Sequence, residues 1–388
     1  MRLLPFEYAV RNLGRSPLRL VASIIGSALV VALVLAAGGF VRGMERSLLV
    51  SGSHDNVILL GAGSEESVER SQIGMSTATL VTASVPGIRA RAGETYVSPE
   101  VHMAMVVKTE RDSAQELNAV FRGVTAAAFL VHPQVRVAEG RPPRSGENEI
   151  MVGQLAATRL GVSPEALAVG KSLWFDHHPW KITGRFEAPN TVMDAEIWCP
   201  LTELQIATRR DTLSCVVLTL DDAELEDVAV FCAQRLDLEL VAVRESDYYA
   251  GLARFYRPVR LMVWVTAALI AIGGLFGGLN TMYAAFGARV RELGALQTLG
   301  FSRASIVVSF LQESLLATSC GGLLAAILSM LFLDGLAVRI SMGAFALSLD
   351  APVLAGGLAA GACVAVVGIV PPLYRCLRMP IMEALRTA

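Results

Sequence analysis

Three long stretches of the chain contain no charged residue, namely residues 20–41, 261–288 and 351–374. Each exceeds the ~20 apolar residues that an α-helix needs to cross a bilayer. A fourth apolar run, residues 304–333, is interrupted only by Glu313. Because the polar residues 42–257 separate the first run from the other three, the sequence predicts one membrane span, a large domain and then three spans.

The overall composition agrees with a membrane protein that also carries a polar folded domain. The chain has 388 residues, of which 53% are hydrophobic and 18% are charged, and its mean hydropathy is +0.52. It is too apolar for an ordinary soluble protein and too charged in its middle for a helix bundle alone. The net charge of −2 argues against nucleic acid as a partner.

The segment between the first two spans mixes strand and helix patterns. Short β-prone runs bounded by turn residues predict strands, and apolar residues at helical spacing predict helices. The predicted strands are 101–108 and 214–220, with a hairpin at 171–187, and the predicted helices are 42–50, 153–161, 222–236 and 246–260. The predicted fold class is a membrane α-helical protein with four transmembrane helices in a one-plus-three order. A large extracytoplasmic α+β domain is inserted between spans 1 and 2.

Arginine placement predicts the orientation, because short cytoplasmic segments carry an excess of Arg and Lys. Three basic clusters agree: Arg2, Arg11, Arg15 and Arg19; Arg289, Arg291 and Arg303; Arg375, Arg378 and Arg386. Between spans three and four the only basic residue in the sequence is Arg339. Both termini are therefore expected in the cytoplasm of a bacterial cell, and the large domain on the periplasmic side of its inner membrane.

These patterns divide the chain into consecutive segments. They are a cytoplasmic N-terminal helix (1–19), transmembrane helix 1 (20–41), a periplasmic α+β domain with a helical stalk (42–257), transmembrane helix 2 (258–288), a cytoplasmic coupling loop (289–303), transmembrane helix 3 (304–333), a short periplasmic loop (334–350), transmembrane helix 4 (351–374) and a cytoplasmic tail (375–388). The alternative for the first run is a cleaved signal peptide. An uncleaved span is preferred, because the run is longer than a signal core and a basic segment precedes it.

Two short motifs suggest other chemistry and are set aside. The Gly-Lys-Ser triplet at 170–172 lacks the glycine that a P-loop needs five positions before its second glycine, where the chain has Glu165. The Asp-His-His triplet at 176–178 would direct its histidines to opposite faces of an extended segment, so a polar turn is preferred to a metal corner. No catalytic, metal or cofactor residues are predicted. Disulfide pairing stays open among Cys199, Cys215 and Cys232.

The loop between spans two and three carries an amphipathic segment. Leu293, Leu296 and Leu299 recur every three residues before a glycine, beside charged residues at the start of the segment. Such a stripe is typical of a helix that docks into a groove on another protein, and the alternative is an inert basic connector. The residues predicted to couple to a partner are Arg289, Arg291, Glu292, Leu293, Gly294, Leu296, Leu299 and Gly300.

Two features within the predicted spans stand out. Glu313 is ionisable, and such residues inside spans are functional by default. Because a helix over 304–333 would be about 45 Å long against a hydrocarbon core of about 30 Å, Glu313 is expected near the cytoplasmic interface, paired with an arginine such as Arg303. Glycines spaced by four predict packing seams within the chain or across a dimer: Gly273 with Gly277, Gly274 with Gly278, and Gly357 with Gly361.

Three blocks of the chain resemble the FtsX/MacB-like permeases of ABC transporters, also called the type VII or mechanotransmitting group. The segment 289–303 (RVRELGALQTLGFSR), continuing to Glu313, is similar to the family's coupling loop and following span. The segments 11–19 (RNLGRSPLR) and 378–386 (RMPIMEALR) are similar to its N-terminal and C-terminal cytoplasmic segments. The one-plus-three order of spans around a large outer domain also fits this family.

The resemblance implies a non-catalytic dimeric subunit that binds a cytoplasmic ATPase through residues 289–300 and relays its motion to the periplasmic domain. The ATPase, expected as a separate polypeptide because the MacB-type fused nucleotide-binding domain is lacking, would bind ATP and Mg²⁺. This chain would bind no cofactor directly. The implied function is efflux, or lipoprotein and envelope substrate handling, with a periplasmic adaptor and membrane lipid as further partners. The alternative is a signalling subunit that regulates a cell-wall hydrolase or sensor.

Overall fold

The computed structural model of the protein describes residues 6–15, 17–175, 178–287, 290–340 and 343–378. The chain forms two compact units. The first unit comprises Met1–Arg42, Pro258–Leu336 and Leu347–Ala388, and the second comprises Gly43–Arg257 and Ala337–Ala346. Several positions singled out in the sequence lie outside the described residues, namely Arg289, the hairpin turn at 176–177 and the C-terminal residues 379–388.

The helices account for the four apolar runs. In chain order they are α1 Phe6–Gly14, α2 Pro17–Ser51, α3 Thr77–Ser84, α4 Ala128–Val131, α5 Ala156–Leu160, α6 Leu201–Thr208, α7 Leu225–Gln234, α8 Glu245–Phe255, α9 Arg257–Gly287, α10 Val290–Thr298, α11 Arg303–Phe332 and α12 Ala351–Arg378. Among the described residues, four helices are long and apolar enough to cross a membrane, and they are α2, α9, α11 and α12. Each covers all or nearly all of one of the predicted runs.

The strands are β1 Asn56–Gly61, β2 Ala90–Arg91, β3 Glu94–Thr95, β4 Val97–Val107, β5 Leu117–Val124, β6 Arg136–Gly140, β7 Glu149–Gly153, β8 Ser172–Phe175, β9 His178–Glu187, β10 Ile197–Pro200, β11 Cys215–Thr219, β12 Leu240–Arg244, β13 Ala337–Ile340 and β14 Gly343–Ala346. Within the described residues, the main sheet has the order β12-β1-β11-β4-β5-β10-β7-β9-β6, with β8 paired to β9. Most pairs are antiparallel, and β10 with β5 and β7 with β9 are parallel.

The two faces of the sheet pack into two different apolar clusters, because successive side chains of a strand point to opposite faces. Ile150 and Ile197 belong to the larger cluster, whereas their neighbours Met151 and Trp198 belong to a smaller one on the other face. A period of two is what a pleated strand imposes. The predicted strands at 101–108 and 214–220 overlap β4 and β11 and are confirmed. The predicted helices at 153–161 and 222–236 are confirmed as the shorter α5 and α7.

The first unit packs its helices through glycines that allow close approach. A Cβ on Gly321 of α11 would overlap backbone and side-chain atoms of Ile24 and Ser27 on α2. The same holds for Gly274 against Val30, and for Gly357 and Gly361 against Leu35 and Val31 respectively. These glycines therefore lie at helix contacts within the chain. By contrast, a Cβ on Gly273, Gly277 or Gly278 would meet no atom of the described residues within 4 Å.

The segment 334–350 is more than the plain loop that the sequence suggested. Strands β13 and β14 form an antiparallel hairpin, and this hairpin belongs to the second unit. It packs beside α5, where a Cβ added to Gly161 would lie 3.1 Å from Nη1 of Arg339. The second unit is therefore assembled from the long insertion together with this short hairpin.

Candidate functional site

The amphipathic segment of the first unit forms a short helix, α10. Beyond its last residue, Gly300 adopts a left-handed conformation with φ +89°. The Gly300 N–H donates to the carbonyl of Gln297 at 3.1 Å, and the Phe301 N–H donates to that of Leu296 at 3.1 Å. This is the pattern of a Schellman cap, in which glycine at the left-handed position ends the helix. Ser302 then caps α11, because its Oγ accepts the N–H of Ser305 at 3.2 Å.

The leucines of the α10 stripe are not all exposed, as they would be if the whole stripe faced a partner. Leu296 packs against a cluster of the same chain, formed by Ile306, Phe310, Ile369 and Leu373. Leu299 is 74% exposed. The side chain of Leu293 lies outside the described part of the structure, as does all of Arg289. Of the two leucines whose side chains are described, Leu296 therefore stabilises the helix against its own chain and Leu299 remains exposed.

Polar contacts join α10 and α11 to the residues before α2. Nη1 of Arg15 lies 3.4 Å from Oε1 of Glu292 in an exposed ion pair. Asn12 of α1 is buried and donates from Nδ2 to Oε2 of Glu313 at 2.8 Å. Sequence reasoning named an arginine as the partner of Glu313 and did not foresee Asn12. Among the other residues predicted to couple, Gly294 is buried and Arg291 is exposed.

The second unit contains six buried ionisable side chains in contact, here called the charge cluster: Glu100, His102, Arg122, His132, Glu196 and Glu245. Arg122 joins two carboxylates, since its Nη1 donates to Glu100 Oε2 at 2.9 Å and its Nε donates to Glu196 Oε2 at 2.7 Å. Glu100 also lies 3.1 Å from His102 Nε2 and 3.0 Å from His132 Nε2.

The electrostatics of the charge cluster are set by burial and by mutual pairing. Burial would raise the pKa of Glu100, but the neighbouring His132 and Arg122 hold that pKa well below its ordinary value. Burial, followed by the charge of Arg122, lowers the pKa of His102, so this histidine is neutral at pH 7. Breaking such a buried pair costs roughly 3–5 kcal/mol, because it leaves one charge uncompensated. The charge cluster therefore ties β4, β5 and the start of β10 together.

One subset of these residues meets the distance requirement for a metal site. Donor atoms of Glu100, His102 and Cys215 lie within 4.8 Å of one another. However, the guanidinium of Arg122 occupies a position 2.9 Å from the Glu100 carboxylate and would repel a cation. Burial also raises the pKa of the Cys215 thiol well above its ordinary value, which keeps the thiol protonated. We therefore interpret this subset as part of the charge cluster.

Sequence reasoning missed the charge cluster. The available signal was a set of ionisable residues within β-prone, otherwise apolar runs, such as Glu100 in β4 and Arg122 in β5. A charge at an inward-facing strand position requires a partner when it is buried. The disulfide question is answered by the structure, since Cys199, Cys215 and Cys232 are buried free thiols.

Two known protein families match the two main parts of this sequence. The family described as MacB-like periplasmic core domain matches residues 20–230, and the one described as FtsX-like permease C-terminal matches residues 264–381. The uncharacterized ABC transporter permease YvrN of Bacillus subtilis (strain 168) is 24% identical, covering 80% of this chain and 81% of its own length.

Longer relatives are also similar. The macrolide export ATP-binding/permease protein MacB of Shewanella sp. (strain W3-18-1) is 23% identical over 81% of this chain, which spans 52% of that protein's length. Among solved structures, the periplasmic region of MacB from Actinobacillus actinomycetemcomitans covers 51% of this chain and 92% of its own at 15% identity, with a TM-score of 0.38.

Apolar helices, an FtsX-like C-terminal region and a MacB-like periplasmic core define the permease class of ABC transporter subunits. The chain belongs to the FtsX/MacB-like family of ABC transporter permeases, as its sequence blocks predicted. Its relatives are components of ABC transporters, which implies an ATPase as a partner.

Proposed function

We propose that this permease couples ATP hydrolysis by a separate cytoplasmic ATPase to a conformational change of its second unit. The observation that carries the proposal is the ion pair of Glu292 on α10 with Arg15, which precedes α2 by two residues. A displacement of α10 by a partner would act on the start of α2. Residues 17–42 of that helix belong to the first unit and residues 43–51 to the second, so the helix is a continuous connection between them.

The proposed topology has one span before the second unit and three after it, in a bacterial inner membrane with both termini in the cytoplasm. The three arginine clusters support this orientation. They lie before the first apolar helix, between the second and third, and after the fourth, which would all be on one side of a membrane crossed four times. ATP and Mg²⁺ would bind to the ATPase, and this chain would bind no cofactor and catalyse no reaction. A second permease copy and a periplasmic adaptor complete the proposed assembly.

Transport is favoured over the regulation of a cell-wall hydrolase. The relatives that cover most of this chain carry the names of ABC transporter permeases and macrolide exporters. We therefore propose efflux, or extraction of lipoproteins and other envelope substrates from the periplasmic side of the membrane. Leu299, which is exposed directly after the C-terminal end of α10, supports a docking surface for the ATPase.

Two matched substitutions test the docking surface. The tagged permease is purified from its host membrane with the ATPase that accompanies it, and ATP hydrolysis is measured in nanodiscs. Leu299→Asp should abolish the stimulation of the ATPase by the permease, because it places a charge in an apolar contact. Leu236→Asp is the control, since this leucine is 79% exposed in the second unit.

Three results would contradict the proposal. They are equal stimulation by the Leu299→Asp variant and the original chain, equal loss with both substitutions, and the absence of any accompanying ATPase. Membrane insertion of each variant is checked by carbonate extraction, so that a failure to insert is not mistaken for a loss of docking.

A further inference from the structure

A cavity of about 930 Å³ lies within the second unit. Its volume falls within the roughly 300–1,000 Å³ of typical small-molecule sites. Side chains from segments far apart in the chain line it, including Met44 and Leu48 at the end of α2, Val120 on β5, Leu252 on α8 and Phe345 on β14. Because these side chains are apolar, the cavity favours a ligand with an apolar body.

One buried cation in the wall of this cavity is unpaired among the described residues. Arg159 of α5 is only 6% exposed, and among the residues that the structure describes its guanidinium makes no hydrogen bond or ion pair. Burial lowers its pKa, while Glu196 and Glu69 attract it through space without forming an ion pair. A buried charge is costly unless a counter-charge satisfies it. An anionic ligand bound beside Arg159 would supply this counter-charge.

A second guanidinium lies near this position, outside the cavity wall and exposed, so that solvent partly screens its charge. Arg339 on β13 repels Arg159 electrostatically and lies against Gly161, at the end of the helix that carries Arg159. Arg339 also has no ion-pair partner within the described residues. An anionic group at Arg159 would relieve this repulsion and accept charge-assisted hydrogen bonds.

The acidic side chains that also line the cavity do not cancel this effect. Glu65, Glu66 and Asp247 are exposed, so solvent and salt screen their charges. Glu196 is already paired with Arg122 at 2.7 Å. Glu69 is half-buried and contributes only a through-space attraction. Arg159 thus remains the buried charge of the wall that a ligand can pair with.

We propose that this cavity binds an amphiphile with an anionic head, a carboxylate or a phosphate, paired with Arg159 and an apolar body against Leu48, Val120 and Leu252. The inference is independent of ATPase coupling, since it concerns binding by this chain alone. An amphiphile is the ligand class that matches a largely apolar cavity whose wall holds a buried cation unpaired among the described residues.

The test uses the full chain in phosphatidylcholine nanodiscs without an ATPase. The fluorescent probe 11-(dansylamino)undecanoic acid should bind, and its uncharged methyl ester should bind more weakly, after subtraction of empty nanodiscs. Arg159→Gln should weaken binding of the acid roughly ten- to a hundredfold, the effect of losing a hydrogen bond between charged groups. Arg159→Lys should restore part of the affinity. Arg136→Gln, at an exposed arginine of β6, should leave it unchanged.

Competition by oleate or by lysophosphatidic acid then distinguishes a carboxylate from a phosphate head. Leu252→Trp provides a second variant, which fills the apolar part of the cavity while keeping Arg159, and should also weaken binding. Equal affinity for the acid and its ester would overturn the proposal. So would no binding above empty nanodiscs, or unchanged binding in both Arg159→Gln and Leu252→Trp. If Arg159→Gln does not fold, as judged by thermal unfolding, the Arg159→Lys and Leu252→Trp results decide.

Discussion

Asn12 donates a hydrogen bond from Nδ2 to Oε2 of Glu313 at 2.8 Å, although 301 positions separate the two residues in the chain. The contact joins the first helix to the third apolar helix within the first unit. It gives Glu313, the ionisable residue of that helix, a defined polar neighbour. A residue of this kind inside an apolar helix is costly unless its polar atoms are satisfied.

Replacing Asn12 should therefore destabilise the first unit. We expect Asn12→Ala to lower the free energy of unfolding by about 1–3 kcal/mol, the cost of removing one partner of a buried hydrogen bond. Thermal unfolding of the chain in nanodiscs measures the change. Asn118→Ala, at an exposed asparagine of β5, is the matched control and should have little effect. Equal midpoints for the two variants would contradict the expectation.

The orientation can be checked by labelling single cysteines in a cysteine-free background. Arg136→Cys, exposed on β6 of the second unit, should react with an impermeant maleimide added to intact spheroplasts. Leu299→Cys, exposed after α10, should react only after the membrane is permeabilised. This result is expected because the arginine clusters predict a cytoplasmic position for α10. The reverse labelling pattern would invert the proposed topology.

Arg122 should be the most sensitive position of the charge cluster. Arg122→Met removes the partner of Glu100 and Glu196 and should cost roughly 3–5 kcal/mol of stability, since two buried carboxylates lose their counter-charge. Urea unfolding followed by tryptophan fluorescence reports the loss, because Arg122 Cζ lies 5.5 Å from the ring centroid of Trp198.

A double substitution tests the pairing itself. Adding Glu196→Gln to Arg122→Met should cost less than the sum of the two single changes, because the second change removes the charge left unpaired by the first. Strict additivity would mean that Arg122 stabilises the unit by packing against Trp198 and not by its ion pairs.

The Arg141–Glu149 pair predicts a dependence of stability on pH. Two hydrogen bonds from Arg141, at 2.6 and 2.5 Å, lower the pKa of Glu149 to about 2. Because the folded pKa lies below that of the unfolded chain, near 4.3, the pair stabilises fully above about pH 5. This contribution declines as pH falls toward 2.

The measurement compares the chain with its Glu149→Gln variant at pH 7, 4 and 3. The original chain should be more stable at pH 7, and the difference between the two should shrink as pH falls. Glu100 and Glu196, whose pKa values are also lowered, titrate in both proteins and cancel in the comparison. A difference that stays constant with pH would contradict the assignment.

Local patterns account for what was predicted correctly. The four apolar helices, strands β4 and β11 and the helix α10 with its terminating Gly300 were all expected from periodicity and turn chemistry. Such features depend on a residue's near neighbours in the chain, so they can be deduced from the order of residues. The family resemblance was likewise carried by contiguous blocks, and the comparisons confirmed it.

Contacts between distant segments required the tertiary structure. Arg122 meets Glu100 and Glu196 only because β4 and the β10 segment flank β5 in the sheet. The packing of Leu296 against its own chain and the assembly of the cavity around Arg159 depend in the same way on how remote elements pack. The sequence by itself therefore determined which segments form apolar helices and strands. Only the folded chain decided which buried charges pair, because electrostatic pairing depends on distance in space.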